Sequence, residues 1–181
     1  ADLVIFAELA VSGYPPRDFL EFSDFIDRCM EAAETIAADC TDISAIIGCP
    51  VRNTADRGKD LFNAALFLSG GRITSVHAKA LLPNYDVFDE YRYFEPGNTF
   101  NTVECGGKRI ALTVCEDIWN VGSDLLYTTV PMDELLPSRP DLIVNIAASP
   151  FHYDQAGIRE KILRNNALKY HLPVLYVNHV G

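Results

Sequence analysis

The chain is short of positive charge. Its 181 residues carry 15 Lys and Arg against 25 Asp and Glu, a formal charge of −10. The one dense cluster of Lys and Arg is mixed with acid on a candidate helix near the C-terminus. Nothing therefore offers the positive face that nucleic acid or an anionic membrane surface requires. No apolar run approaches the roughly 18 residues that span a bilayer, and no basic-then-apolar signal segment opens the chain. C-x-x-C is absent, and no two Cys or His residues stand at zinc-ligand spacing, which leaves no metal site to expect. The five cysteines, at 29, 40, 49, 105 and 115, are an odd number in a chain too apolar to need staples. They point to a reducing, cytoplasmic setting. Internal repeats, low-complexity tracts and linkers are missing as well, so a single domain is expected.

What is present is a core. Hydrophobic residues make up 49% of the chain and aromatics 10%, enough to exclude disorder, collagen-like and coiled-coil architectures. Strand candidates fall at residues 3–6, 44–49, 62–69, 73–78, 101–104, 109–114, 141–146 and 174–178. Runs such as IALTV, LIVNIA and VLYV are apolar throughout, as in strands buried on both faces under covering layers. Ser23–Asp39 shows the clearest helical period, through Phe25, Ile26, Cys29, Met30, Ala33, Ile36 and Ala37, with Ser23 as its expected N-cap. A second helix is predicted over about 154–170, with Ile158, Ile162 and Leu163 on one face and Arg159, Glu160, Lys161 and Arg164 elsewhere. Gly70-Gly71 and Gly106-Gly107 read as hairpin turns, which makes the expected α/β sheets mixed.

Three polar residues interrupt or end these strands. Cys115 closes the 109–114 run and is followed at once by Glu116-Asp117-Ile118-Trp119. A strand ending on a nucleophile at a sharp turn exposes the sulfur and aims the next N–H groups at a developing oxyanion. The same position also suits a small buried cysteine with no chemistry. Glu8 breaks an apolar run on both sides, as a partly desolvated general base would, or as a strand-end residue turned to water would. Lys79 ends the 73–78 strand, where a cation can stabilise a tetrahedral intermediate or simply face solvent. Reacting groups of α/β folds collect at the C-terminal ends of strands, and the three coincide there. The segment 83–97 crowds five aromatics and five charged residues into a stretch without helical or strand period. It is expected to line a pocket or to form a packed crossover. None of the four histidines, at 77, 152, 171 and 179, is patterned as a partner for Cys115.

The blocks Phe6-Ala7-Glu8-Leu9, Gly13-Tyr14-Pro15-Pro16-Arg17-Asp18, Lys79 before Leu82-Pro83-Asn84-Tyr85, and Val114-Cys115-Glu116-Asp117-Ile118-Trp119 resemble the nitrilase (carbon–nitrogen hydrolase) superfamily. The Gly-Tyr-Pro-Pro block and the long aromatic loop are similar to those of the glutaminase domains of glutamine-dependent NAD+ synthetases. The resemblance runs the length of the chain and implies an α/β fold, a four-layer αββα sandwich with mixed sheets. It implies Cys115 as nucleophile on the L-glutamine carboxamide, Glu8 as proton carrier, and Lys79 with the Glu116 N–H as oxyanion donors. It further implies Glu90 beside the lysine, and Tyr85, Ser149 and residue 155 against the glutamine. Gln155 departs from the pattern, which has a lysine there, and Ala7 stands where proline is usual. The chain is expected to be a piece truncated at both ends, lacking the first strand and helix and the synthetase half. ATP, Mg2+ and deamido-NAD+ are expected only on that other half, so no cofactor is expected in residues 1–181. A synthetase domain of the same polypeptide is the expected partner, and a homo-oligomer the expected assembly. The alternatives are a stand-alone amidase or carbamoylase and a non-catalytic interaction module of the same fold.

Overall fold

In the computed structural model, which describes residues 1–122 and 125–180, two sheets of four strands each lie face to face. The first has strand order β1 (Leu3–Ile5), β2 (Ser44–Arg52), β3 (Leu61–Ser69) and β4 (Arg72–Ala78). Its first pair is parallel and the others antiparallel. The second has the order β5 (Thr102–Cys105), β6 (Lys108–Val114), β7 (Leu142–Ala147) and β8 (Val174–Asn178). Here the β5–β6 hairpin is antiparallel and the remaining pairs are parallel. The mixed sheets thus follow from hairpins at the two Gly-Gly turns set among crossover connections.

Strands apolar on both faces need cover on both, and the layers supply it. Between the sheets, Ile46, Ala65 and Phe67 meet Val103, Ile110, Leu112, Val114, Val144 and Ile146. Burial of each large side chain there contributes roughly 1.5–3 kcal/mol relative to exposure. Outside the first sheet, α1 (Ser23–Asp39) lays Cys29, Ala33 and Ala37 on Ala45, Ile47, Cys49, Leu66 and Leu68. Outside the second, α3 (Pro131–Leu135) and α4 (Gln155–Tyr170) cover Ala111 and Ile143 with Met132, Leu135 and Tyr170. The result is the αββα sandwich. Among the described residues, no helix is long and apolar enough to cross a membrane.

Local departures have local causes. Phe22, not Ser23, is the N-cap residue of α1, and the Ser23 hydroxyl instead accepts a 2.8 Å bond from Arg52. The β5 strand begins at Thr102, one residue later than the sequence pattern places it. The 83–97 segment is not wholly aperiodic, because it winds into a single helical turn, α2 (Glu90–Tyr93), that turns Glu90 inward. On α4 the inward row is Arg159, Ile162, Leu163, Asn166 and Tyr170, while Ile158 is 48% exposed. One residue on a helix is about 100° of rotation, which is enough to exchange Ile158 for Arg159.

Candidate active site

Three strand ends converge between the sheets. Past β1 the chain turns through Glu8, past β4 it reaches Lys79, and past β6 it enters a short 3-10 helix, Cys115–Ile118. Glu8 and Lys79 are 0% exposed and Cys115 is 4% exposed. This excludes the solvent-facing alternatives for the first two. Lys79 Nζ donates to Glu8 Oε1 at 2.8 Å and to both oxygens of Glu90 at 2.8 Å. The second Glu8 oxygen accepts the Ala148 N–H at 2.9 Å. Asn63 Nδ2 bridges the two glutamates, at 2.7 Å from Glu8 and 3.4 Å from Glu90. A buried ion left unpaired costs several kcal/mol, and here every charge has a partner.

Two glycines permit this approach. A Cβ on Gly48 would stand 2.2 Å from the Leu9 nitrogen and 2.6 Å from the Glu8 carbonyl carbon. A Cβ on Gly97 would stand 2.3 Å from the Ala78 oxygen, just before Lys79. The Gly97 N–H also donates to the Lys79 carbonyl at 2.8 Å, so the backbone carrying the lysine is clasped directly.

Cys115 sits at φ +43, a left-handed conformation that a residue with a Cβ adopts only under constraint. The constraint is Asp117. Its Oδ2 accepts the Val114 N–H at 2.9 Å, while Oδ1 accepts the N–H groups of Ala80 at 2.9 Å and Leu81 at 3.0 Å. One carboxylate thereby ties the turn after Cys115 to the chain just past Lys79. Burial pushes the Asp117 carboxyl up to about 6, against the pull of those N–H donors. Asn145 holds the Cys115 carbonyl at 3.3 Å from below.

The sulfur's polar neighbour is Ser149, with Sγ and Oγ 4.0 Å apart. Asn178 fixes Ser149, accepting its N–H at 2.8 Å and donating to its carbonyl at 3.1 Å. Burial and the Glu8 charge push the Cys115 thiol well above the ordinary cysteine range, and Lys79 only partly offsets them. Burial alone would lower Lys79, but Glu8 and Glu90 outweigh it and hold the ammonium well above its ordinary value. Glu90 is raised by burial and pulled back by Lys79.

The other residues singled out by the sequence divide. Tyr85, 45% exposed, donates to the buried Glu116 carboxylate at 2.8 Å, and Tyr127 donates to the same oxygen at 3.2 Å. Ser149 thus lies against the sulfur, while Tyr85 reaches the carboxylate of Glu116, the next residue after Cys115. Gln155, at the start of α4, makes no hydrogen bond to this group among the described residues. Nor does a histidine pair with Cys115 among them. His77 bonds Ser75, His152 accepts the Asp154 N–H, and His179 donates to the Glu8 carbonyl oxygen at 2.9 Å. The aromatic loop does line cavities. One of about 250 Å³ opens beside the site between Tyr14, Arg17, Phe88, Ser149 and His179. Another of about 150 Å³ is bounded by Tyr14, Asp18, Phe88, Glu90 and Tyr93. Asn63, Asp117, Asn145 and Asn178 are not legible as site residues from the sequence. Their only signal there is an amide or carboxylate inside an otherwise apolar run.

A buried Glu–Lys–Glu cluster at the strand ends of an αββα sandwich, next to a cysteine on a strained turn, defines a hydrolase-type site built around a cysteine. The chain belongs to the carbon–nitrogen hydrolase family, whose profile matches residues 1–181. It is 34% identical over its full length to the glutamine-dependent NAD(+) synthetase of Synechocystis sp., covering 34% of that protein. To the glutamine-dependent NAD(+) synthetase of Thermotoga maritima it is also 34% identical over its full length, covering 30% of that protein. The chain thus spans about a third of the length of the curated relatives it matches. Its whole length superimposes on 32% of a glutamine-dependent NAD+ synthetase from Acinetobacter baumannii solved with ADP, with TM-score 0.86 and 31% identity. An amidase of the nitrilase superfamily from Nesterenkonia shares the fold, with TM-score 0.79 and 19% identity, over all of this chain and 64% of the amidase.

Proposed function

We propose that the chain is the glutamine-hydrolysing part of a glutamine-dependent NAD+ synthetase, releasing ammonia from L-glutamine for a synthetase part that consumes ATP and deamido-NAD+. The observation that carries this reading is the buried Glu8–Lys79–Glu90 cluster against the Cys115 turn. The likeness to NAD+ synthetases supports the choice of substrate.

Because the thiol rests protonated, attack and proton transfer are coupled. Cys115 Sγ adds to the amide carbon while its proton passes to Glu8. The amide oxygen becomes an oxyanion that Lys79 and the Glu116 N–H stabilise, in a site where water does not weaken them. Glu8 returns the proton to the amide nitrogen, the carbon–nitrogen bond breaks, and ammonia leaves a γ-glutamyl thioester. Water then gives a proton to Glu8 as its oxygen attacks the thioester carbon. The carbon–sulfur bond breaks, the sulfur recovers the proton, and glutamate departs. Glu90 keeps the Lys79 ammonium charged and aimed, and Tyr85 and Ser149 border the glutamine. ATP, Mg2+ and deamido-NAD+ belong in this reading to the synthetase part, and no step above involves them.

The test is Cys115→Ala in the full-length polypeptide. Release of glutamate from glutamine should stop, while NAD+ formation supplied with free ammonia should persist. Undiminished glutamine-driven activity would exclude Cys115 as the nucleophile.

A further inference from the structure

Glu8 stands on a turn past β1, and a buried turn must find a donor for each of its carbonyls. The Ala7 oxygen accepts the Gly48 N–H at 3.2 Å, and the Leu9 oxygen accepts the Gly13 N–H at 2.8 Å. Between them, the Glu8 oxygen receives no backbone N–H among the described residues. Its donor is a side chain 171 positions away, the imidazole of His179, whose Nε2 lies 2.9 Å from it. A carbonyl can only accept, so Nε2 carries the proton, and the bond holds whether Nδ1 is bare or protonated. The peptide that this bond fixes is a demanding one. It joins Glu8 to Leu9, which sits at φ +50, a left-handed conformation that a residue with a Cβ disfavours.

His179 reaches this oxygen from the second sheet. It follows β8 directly, and its own N–H donates to the Ala147 carbonyl at 3.2 Å, continuing the pairing of β8 with β7. The residue after Ala147 takes the other end of the same glutamate, since the Ala148 N–H donates to Glu8 Oε2 at 2.9 Å. The ends of β7 and β8 thus clasp Glu8 twice, once by its carboxylate and once by its main chain. From the first sheet, Lys79 and Asn63 hold Oε1, at 2.8 Å and 2.7 Å. His179 also walls the cavity of about 250 Å³ beside Ser149. A role in lining that cavity would act on substrate binding, whereas the bond to the Glu8 turn acts on the base.

We infer that His179 is a positioning residue for Glu8. Its imidazole, acting across the two sheets, locks the Glu8–Leu9 peptide and so holds in place the carboxylate that takes and returns the proton. The inference rests on the glutaminase reading, in which Glu8 is the proton carrier. Without the bond a buried carbonyl is left unpaired, and the turn relieves it by moving. That movement disturbs proton transfer and leaves the cavity wall where it is.

The experiment measures glutamate release from L-glutamine by the full-length polypeptide as wild type, His179→Phe, His179→Asn and His179→Gln. The first variant keeps a ring in the cavity wall but has no N–H. The second and third carry an amide nitrogen about as far from the backbone as Nδ1 and Nε2 respectively. L-Glutamine binding is measured alongside, with Cys115→Ala and with Cys115→Ala/His179→Phe. His179→Phe and His179→Asn should lower kcat about 10- to 100-fold, the scale of a misplacement of up to about 1 Å, with KM changed less than about threefold. His179→Gln should keep kcat within about threefold of the wild type, because the donor is back in place. The two Cys115→Ala proteins should bind glutamine alike, which a merely structural loss would not allow. Full kcat in His179→Phe, a loss carried by KM or by binding, or a His179→Gln variant as slow as His179→Phe would overturn the inference alone. A wild type that neither hydrolyses nor binds glutamine would overturn the glutaminase reading and the inference together.

Discussion

Cys115 is constrained by its backbone and restrained by its surroundings. The φ of +43 holds the sulfur at the strand end, with Asp117 gripping the N–H groups of Val114, Ala80 and Leu81 to keep it there. Burial and the Glu8 charge push the thiol well above the ordinary cysteine range, which favours a thiol over a thiolate at rest. The sign is testable. A thiol held above the ordinary range contributes no thiolate absorption at neutral pH. The ultraviolet difference between wild type and Cys115→Ala should therefore be flat there and rise only on the alkaline side. A thiolate band already present at neutral pH would show that Lys79, not burial, governs the sulfur. Cys115, Glu8 and Lys79 are legible in the sequence because each ends an apolar strand. Asn63, Asp117 and Asn145 are not, because their partners across the site lie 27 to 55 positions away and only the folded sheets bring them together.

At the scale of elements, the site depends on how closely two backbones approach. Gly48 lies within β2, where the Glu8–Leu9 turn crosses it with no room for a methyl group. Gly48→Ala must push that turn away, and the turn carries Glu8, the general base of the proposed mechanism. We expect a loss of about 1–3 kcal/mol in urea denaturation from overpacking. We also expect kcat/KM for glutamine to fall by about 100-fold, since a displacement near 1 Å costs that much in a positioned site. Full activity in the Gly48→Ala variant would mean that the turn is free to move without disturbing Glu8. Every strand candidate in the sequence forms a strand, since apolar runs bounded by turn residues have few alternatives. The errors fall where one residue of rotation or register decides the outcome. Arg159 replaces Ile158 on the inward row of α4, Phe22 replaces Ser23 as the cap of α1, and β5 starts one position late. Packing against the second sheet settles the first of these, and no local pattern contains it.

For the molecule as a whole, two hairpin-containing sheets back to back place the strand ends that lead to Glu8, Lys79 and Cys115 in a buried seam between layers, where a single lysine serves two carboxylates. An amidase of the nitrilase superfamily shares this architecture, so in the proposed function substrate choice comes from the seam's margins: the aromatic loop over the cavity and Ser149 on its Asn178 clamp. In the proposed function, glutamine chemistry passes through one sulfur, that of Cys115, among the five. The most direct measurement of that is peptide mapping after treatment with an electrophilic analogue of glutamine. One label per chain is expected, confined to Cys115 and prevented by excess L-glutamine. Labelling at Cys29, Cys40, Cys49 or Cys105, or an unprotected or absent label at Cys115, would contradict it.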